Sequence, residues 1–382
     1  MTDDRKTGQF ARIDDLPFRR LAVPLVAAED ALARLDERLR ASALRAGFVA
    51  RGHFGDACAA LWLQGELVHM EDLVLHDARM DIRGPTHELV RAHEILRLRR
   101  RIADAEPDWA LSPSGLAFLR GQNGGEEKPK ERGGEFDPDD AEKDEEFERA
   151  ENDFSSDADD PLAEAFAALD AVLTRTDRAF AGEAAASRAE ERDPLVYDLD
   201  WDEDRRLGEW RALVEETKNL PPTLAAALAA QSWDAIEPLQ HRPWLGRLLA
   251  ASLLRARGKT KCHLPCFHDG LKAVPQARRR GRDSTERLIV ELDAIRLAAE
   301  AGLQNHDRWA NQRVLLLRKL ENRRATSRLP ALVDFVLARP IVSARMIAAE
   351  LKITPRAAQD LVGELGLREA TGRGRYRAWG IL

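Results

Sequence analysis

Apolar side chains recur every three or four positions along most of this chain, and residues that favour strands are scarce. The chain holds only two tyrosines, Tyr197 and Tyr376, while Ala, Leu, Arg and Glu dominate. That pattern restricts the fold to packed amphipathic helices and excludes alternating strands and helices. Ala28 to Arg40 puts Leu32, Leu35 and Leu39 on one face, and Phe54 to Leu63 reads as a buried helix. Thr86 to Ala103 aligns Leu89, His93 and Leu96 and ends in the basic run Arg97 to Arg101, where cations favour a helix C-terminus. Further helices are predicted over about 205–218, 223–230, 244–257, 284–301 and 306–324, with Gly302 in the gap between the last two.

One stretch breaks the pattern. Between Glu126 and Asp160 there are 17 acids and 5 bases, a net of -12, with few apolar side chains. Such a segment cannot offset the entropy of ordering and reads as a disordered acidic linker. Four regions result: an N-terminal helical region 1–120, the acidic linker 121–160, a helical domain 161–327 that opens on the Asp160-Pro161 cap, and a C-terminal domain 328–382. The fold class is therefore mostly α, a helical bundle with an acidic insertion.

The whole chain of 382 residues carries a net charge of -7, but Arg255 to Leu382 holds 26 bases and 13 acids, a net of +13. A basic C-terminal third suits a polyanion. No apolar run approaches the roughly 18 residues of a membrane span, and the N-terminus lacks a secretory pattern. Three cysteines, at 58, 262 and 266, make no disulfide framework. A cytoplasmic protein with no membrane partner is the simplest reading.

The last 55 residues hold the sharpest signal. Leu329 to Leu337 forms a short helix with Leu332, Phe335 and Val336 inward, stopped at Arg339-Pro340. Ser343 caps a second helix, Ala344 to Leu351; Lys352-Ile353 turns; Thr354-Pro355 opens a third that runs to about Leu365. Ile347, Leu351, Ile353, Ala358, Leu361 and Leu365 would form its core, and Ala348 lets the helices cross closely. Gly366 ends the third helix, and 367–371 and 375–379 flank Gly372-Arg373-Gly374 as a hairpin. A helix-turn-helix followed by a hairpin is a winged helix. Its expected partner is double-stranded DNA, met by Ser343, Arg345, Thr354, Arg356, Gln359, Arg373, Arg375 and Arg377. Arg356 and Gln359 are of the types that read base edges, and the wing arginines suit phosphate. Asp360 and Glu364 on the same helix count against DNA. A winged helix used for protein contact or as a homodimer interface is the alternative.

Two stretches of the body resemble the Fic family of helical AMP-transferases, which often carry a winged helix behind the catalytic domain. Ala59 to Leu73 is similar to the segment that bears the family's inhibitory glutamate, which would fall on Gln64, with the family's Ser/Thr on Ala60. Arg242-Pro243-Trp244-Leu245-Gly246-Arg247 resembles the end of the signature H-P-F-x-D/E-G-N-G-R-x-x-R. On that alignment the family's catalytic histidine falls on Ile236, its metal-binding acid on Gln240, and its Gly-Asn-Gly turn on His241-Arg242-Pro243. The resemblance thus implies a Fic-like helical body without the proton acceptor, the Mg²⁺ ligand or the phosphate nest. No catalytic residue and no cofactor are expected; a Fic-type AMP-transferase with a displaced motif is the competing reading. The whole architecture also resembles alphaproteobacterial proteins that join a domain of unknown function to a C-terminal helix-turn-helix, and that likeness implies DNA binding and no assigned reaction. A transcriptional or plasmid-associated regulator is the leading reading.

Other clusters carry less. Cys262-His263 and Cys266-Phe267-His268 could supply zinc ligands, but a second ligand pair is missing, so core thiols and no metal are expected. His241 and His268 have no nucleophile nearby in sequence. Lys259-Thr260-Lys261 lacks the spacing of a phosphate-binding loop. Arg278-Arg279-Arg280-Gly281-Arg282 is either an exposed linker or an extra phosphate contact.

Overall fold

The computed structural model describes residues 16–80, 84–121, 201–320, 328–371 and 377–381. The acidic linker, and the helix expected to begin at Asp160-Pro161, lie outside them apart from Gly121. The described residues form a mostly α protein that ends in a winged helix-turn-helix. No helix among them is long and apolar enough to cross a membrane.

The body is built from α1 (Phe18–Arg40), α2 (Arg45–Trp62), α3 (Met70–Asp77), α4 (His87–Asp104), α5 (Pro113–Leu119), α6 (Glu203–Glu216), α7 (Pro222–Ile236), α8 (Leu245–Ala256), α9 (Phe267–Ala273), α10 (Gln276–Arg279) and α11 (Ser284–Arg318). The regions before and after the acidic segment share one core. α1 lies alongside α11, with Arg20 paired to Asp283 and Glu286 at one end and Arg38 to Asp307 at the other. Leu21, Ala28, Leu32, Leu35 and Leu39 bury the inner face of α1.

The helix α11 departs from expectation. A break was expected around Gly302, yet one helix runs through all 35 residues. Gly302 faces α1: a Cβ there would lie 2.8 Å from Leu35 Cδ2 and 3.2 Å from Phe48 Cζ. The glycine is a packing notch for close approach, and the cost of about 1 kcal/mol relative to alanine is outweighed by what it admits.

α7 is buried on nearly every side, from Thr223 to Trp233. It packs against α6, α8 and α11. Trp210 and Trp233 meet edge to face at 5.2 Å, and the Trp210 indole N–H donates to the Ala229 carbonyl at 2.9 Å. Gly246, at the start of α8, lies against Trp233; a Cβ would come within 2.2 Å of the indole Cγ.

The C-terminal domain follows the predicted order: α12 (Leu329–Leu337), β1 (Val342–Ser343), α13 (Ala344–Leu351), α14 (Pro355–Leu365), β2 (Arg368–Glu369) and β3 (Ala378–Gly380). The sheet order is β1-β3-β2, both pairs antiparallel, with Val342 opposite Trp379 and Arg368 opposite Gly380. Leu332, Val333, Val336, Ile347, Ala358, Val362 and Leu365 close the core beneath it. Leu361 was expected there, but it is only half-buried and Val362 takes the inward position. A one-residue change turns a helical side chain by about 100°.

This domain is held to the body by side chains from three directions. Arg51 of α2 is buried and donates to the carbonyls of Leu337 (2.8 Å) and Val336 (3.0 Å) at the end of α12. Its guanidinium lies 4.8 Å from the centre of the Trp309 ring on α11. Arg313 of α11 pairs with Asp334 at 3.0 Å, and Lys319 donates to the Leu365 carbonyl at 3.3 Å.

Candidate nucleic-acid interface

The geometry of α13 and α14 follows from local chemistry. The Ser343 hydroxyl accepts from the Met346 N–H at 3.2 Å, which satisfies one of the open donors at the start of α13. Lys352 closes that helix in the left-handed region, with φ 52°. The Thr354 hydroxyl then accepts from the Ala357 N–H at 3.2 Å, and Pro355 occupies the first helical position, where no N–H is needed. Arg328 donates to the carbonyls of Leu351 and Lys352 and fixes the turn between the two helices. Thr354→Ala is expected to cost about 0.5–2 kcal/mol of stability, measured by chemical denaturation of the full chain.

One face of α14 buries Ala358, Val362 and Leu365, while Arg356, Gln359, Asp360, Gly363 and Glu364 are exposed. Among the described residues the body does not cover that outer face. Arg356 and Gln359 therefore sit together on an accessible helix surface, as expected, with Asp360 and Glu364 beside them. Arg345 is exposed on α13.

Two of the expected contacts are placed differently. Ser343 is 4% exposed, and besides capping α13 its hydroxyl donates to the Met80 sulfur at 3.3 Å. It is a structural residue, hidden from any duplex. Arg377 is exposed, but its Nε and Nη2 donate to Glu369 Oε2 at 3.0 and 2.7 Å across the hairpin. That pairing occupies Nε and Nη2, while the side chain stays exposed. Arg373 and Arg375 lie outside the described residues.

The body residues singled out by sequence fall into separate networks. Asp56 of α2 is fully buried: it accepts from Arg99 Nη1 at 2.5 Å, from His268 Nδ1 at 2.8 Å and from the Asp269 N–H at 3.0 Å. Burial alone would raise the Asp56 carboxyl, but Arg99 and His268 outweigh it and hold it at about 2. His268 Nε2 faces the Trp244 carbonyl at 3.0 Å, so a histidine does reach the start of α8. Both of its nitrogens are engaged, by Asp56 and by the Trp244 carbonyl, and the ring is 1% exposed, which keeps it from a substrate proton. Burial pushes the Cys266 thiol up to about 12, and it donates to the Gly52 carbonyl at 3.5 Å. His263 pairs with Asp36 instead. Among the described residues no three His, Cys, Asp or Glu side chains converge as a metal site.

The stretches aligned with the Fic signature lie at the α7–α8 junction. Ile236 ends α7, Arg242 binds Glu94 and the Leu119 carbonyl, and Arg247 binds Asp234 at 2.7 Å and Glu291 at 2.6 Å. Gln64 donates to the Ala60 carbonyl at 3.1 Å and accepts from Arg91 at 2.8 Å. Sequence reasoning missed Asp56 and Arg99 altogether. The basic run at 97–101 was read as a macrodipole feature, whereas Arg99 is buried against Asp56 and Arg100 binds Asp77.

Comparison with known proteins finds one match in the body and one at the C-terminus. Residues 195–321 match the family described as "Protein of unknown function (DUF1612)", and residues 329–382 match the "HTH DNA binding domain". Neither description names an enzyme. The "Uncharacterized protein y4cF" of Sinorhizobium fredii (strain NBRC 101917 / NGR234) is 47% identical over 365 residues, which cover 91% of this chain and 93% of that protein. With the helix-turn-helix in place behind a matching body, and identity sustained across nearly the whole length, the chain belongs to the family of the Sinorhizobium fredii protein y4cF.

Proposed function

We propose that this protein is a cytoplasmic regulator, transcriptional or plasmid-associated, that binds duplex DNA through α14, with the helical body as a ligand-sensing or interaction domain that catalyses nothing. The observation that carries this reading is the uncovered outer face of α14, where Arg356 and Gln359 stand on a helix whose opposite side fills the core. The helix-turn-helix match over 329–382 supports it. In this reading Arg356 and Gln359 meet base edges, while Thr354, Arg345, Arg373 and Arg375 meet the backbone. A Fic-like ancestry of the body, if it exists, is ancestry without the chemistry. Ile236 offers no proton acceptor, and Arg247, at the signature arginine, is committed to Asp234 and Glu291.

Fluorescence anisotropy of the full chain against duplexes at several salt concentrations tests the reading. Arg356→Ala is expected to cost about 1–3 kcal/mol on the preferred site and to relax selection at one base pair. Arg375→Ala should weaken all duplexes alike and reduce the salt slope by about 1. Absence of binding at low salt, or affinity unchanged in both variants, would move the function to a protein partner at the same face. Asp360 and Glu364, exposed beside Arg356, favour that second reading.

A further inference from the structure

A cleft of about 70 Å³ opens between α7, α8, α10 and α11. It is lined by Gln231, Asp234, Arg247, Arg279, Arg287 and Glu291, among others. Three guanidinium groups thus face two carboxylates. Arg247 takes both carboxylates, donating to Asp234 and Glu291. Burial would depress its charge, but those two acids outweigh burial and keep it protonated. The balance of the cleft therefore rests on the other two arginines.

Arg279 donates through Nε to the Val274 carbonyl at 3.1 Å and lies 5.1 Å from the centre of the Trp62 ring, with no carboxylate partner among the described residues. Among the same residues Arg287 has no ion pair, and its buried Nε has no hydrogen-bond partner. Gln231 is 3% exposed; its Nε2 donates to the Ser284 carbonyl at 2.6 Å, and its Oε1 has no partner. A buried acceptor and a buried donor left open are both costly, and both call for a group that answers them. Three guanidiniums against two carboxylates leave the cleft a net charge of +1, so the two arginines without a carboxylate suit an anion, and an open amide oxygen matches a hydroxyl. The basic run at 278–282, unplaced by the DNA reading, supplies one of the two.

We propose that this cleft binds a hydrogen phosphate or small phosphate monoester, with Arg279 and Arg287 on the phosphoryl oxygens and Gln231 Oε1 accepting from a P–OH or an ester hydroxyl. The fork of each guanidinium suits two oxygens of one phosphate. Asp234 and Glu291 act as positioning residues that fix Arg247 as the back wall. The site stands whether or not α14 reads DNA.

Calorimetric titration of the full chain at constant ionic strength tests it, with inorganic phosphate, glycerol 3-phosphate and acetate as the probes. Both phosphates are expected to bind saturably with one site per chain, and acetate not to bind. Tighter binding of inorganic phosphate assigns the free ion, and tighter binding of glycerol 3-phosphate assigns a monoester. Arg287→Met and Arg279→Met should each weaken the phosphates about tenfold or more, the loss of one charge-assisted contact. Circular dichroism and the thermal midpoint of both variants should match the parent protein. Four results overturn the proposal: no saturable heat with either phosphate, acetate binding as well as phosphate, binding that survives both methionine variants, or binding lost in Arg356→Ala and kept in Arg287→Met.

Discussion

Asp56→Ala is expected to lower the unfolding free energy by about 3–5 kcal/mol, because it strands the Arg99 guanidinium in the core and opens the hydrogen bond to His268. Arg99 is 1% exposed and His268 1% exposed, and both meet Asp56 Oδ2. Without the carboxylate the Arg99 charge keeps, among the described residues, only the Leu264 carbonyl at 3.3 Å and the Cys266 sulfur at 3.6 Å. Asp56→Asn keeps the shape but loses the charge, so it should recover only part of the deficit. Acid should expose the same linkage. The Asp56 carboxyl sits at about 2 against an ordinary 3.8, so its contribution is complete above the ordinary value and is lost as pH falls toward 2. Asp36 and Asp77 are also held at about 2, by His263 and by His93 with Arg100, in each case against burial. Acid unfolding should therefore persist in Asp56→Ala with a shallower slope. Urea denaturation at neutral and acidic pH reads both effects, and a loss under about 1 kcal/mol would mean that water reaches the site.

Arg51→Ala is expected to loosen the C-terminal domain while leaving the body folded. The guanidinium caps the end of α12 through two carbonyls and lies against the Trp309 ring. Burial pulls the Arg51 guanidinium down to about 10, helped by Arg308, which still leaves it charged at neutral pH. Each carbonyl left open costs about 1–3 kcal/mol. Amide exchange over 329–365 should accelerate well before that of α7 and α8. Arg51→Lys should not restore protection, since a point ammonium cannot span both carbonyls and cover the ring. Unchanged exchange in that segment would show that Arg313 and Lys319 suffice.

The winged helix was legible because its determinants are local. Ser343, Thr354-Pro355 and Gly366 mark helix ends within three or four residues of the groups they satisfy, and the structure places each at such an end. What stayed hidden depends on partners far away in sequence. Arg99 is 43 positions from Asp56, and His268 is 212 positions from it, so the helical period that puts Arg99 on the stripe of Ala92, Ile95, Leu96 and Ile102 marks its face but not its partner. Gly302 reads locally as a break and acts as a notch because Leu35 and Phe48 come from elsewhere. Gly246-Arg247 looks like a signature in one dimension. In three, the glycine clears Trp233 and the arginine joins Asp234 to Glu291. Ser343 was read correctly as a cap and wrongly as a contact, since its burial comes from Met80 and the sheet.

The unbroken course of α11 has a mechanical consequence. At 1.5 Å per residue its 35 residues span about 52 Å. One end carries Arg287 and Glu291, and the other carries Trp309 and Arg313 against the C-terminal domain. No hinge interrupts it, because the glycine that could have been one is filled by Leu35. A tilt of about 5° at the first turn becomes a displacement of about 4.5 Å at the last, larger than the reach of a hydrogen bond. Were the helix to tilt as one piece, with α1 moving alongside it, a rearrangement around Arg287 would be felt as a change of aim at α14.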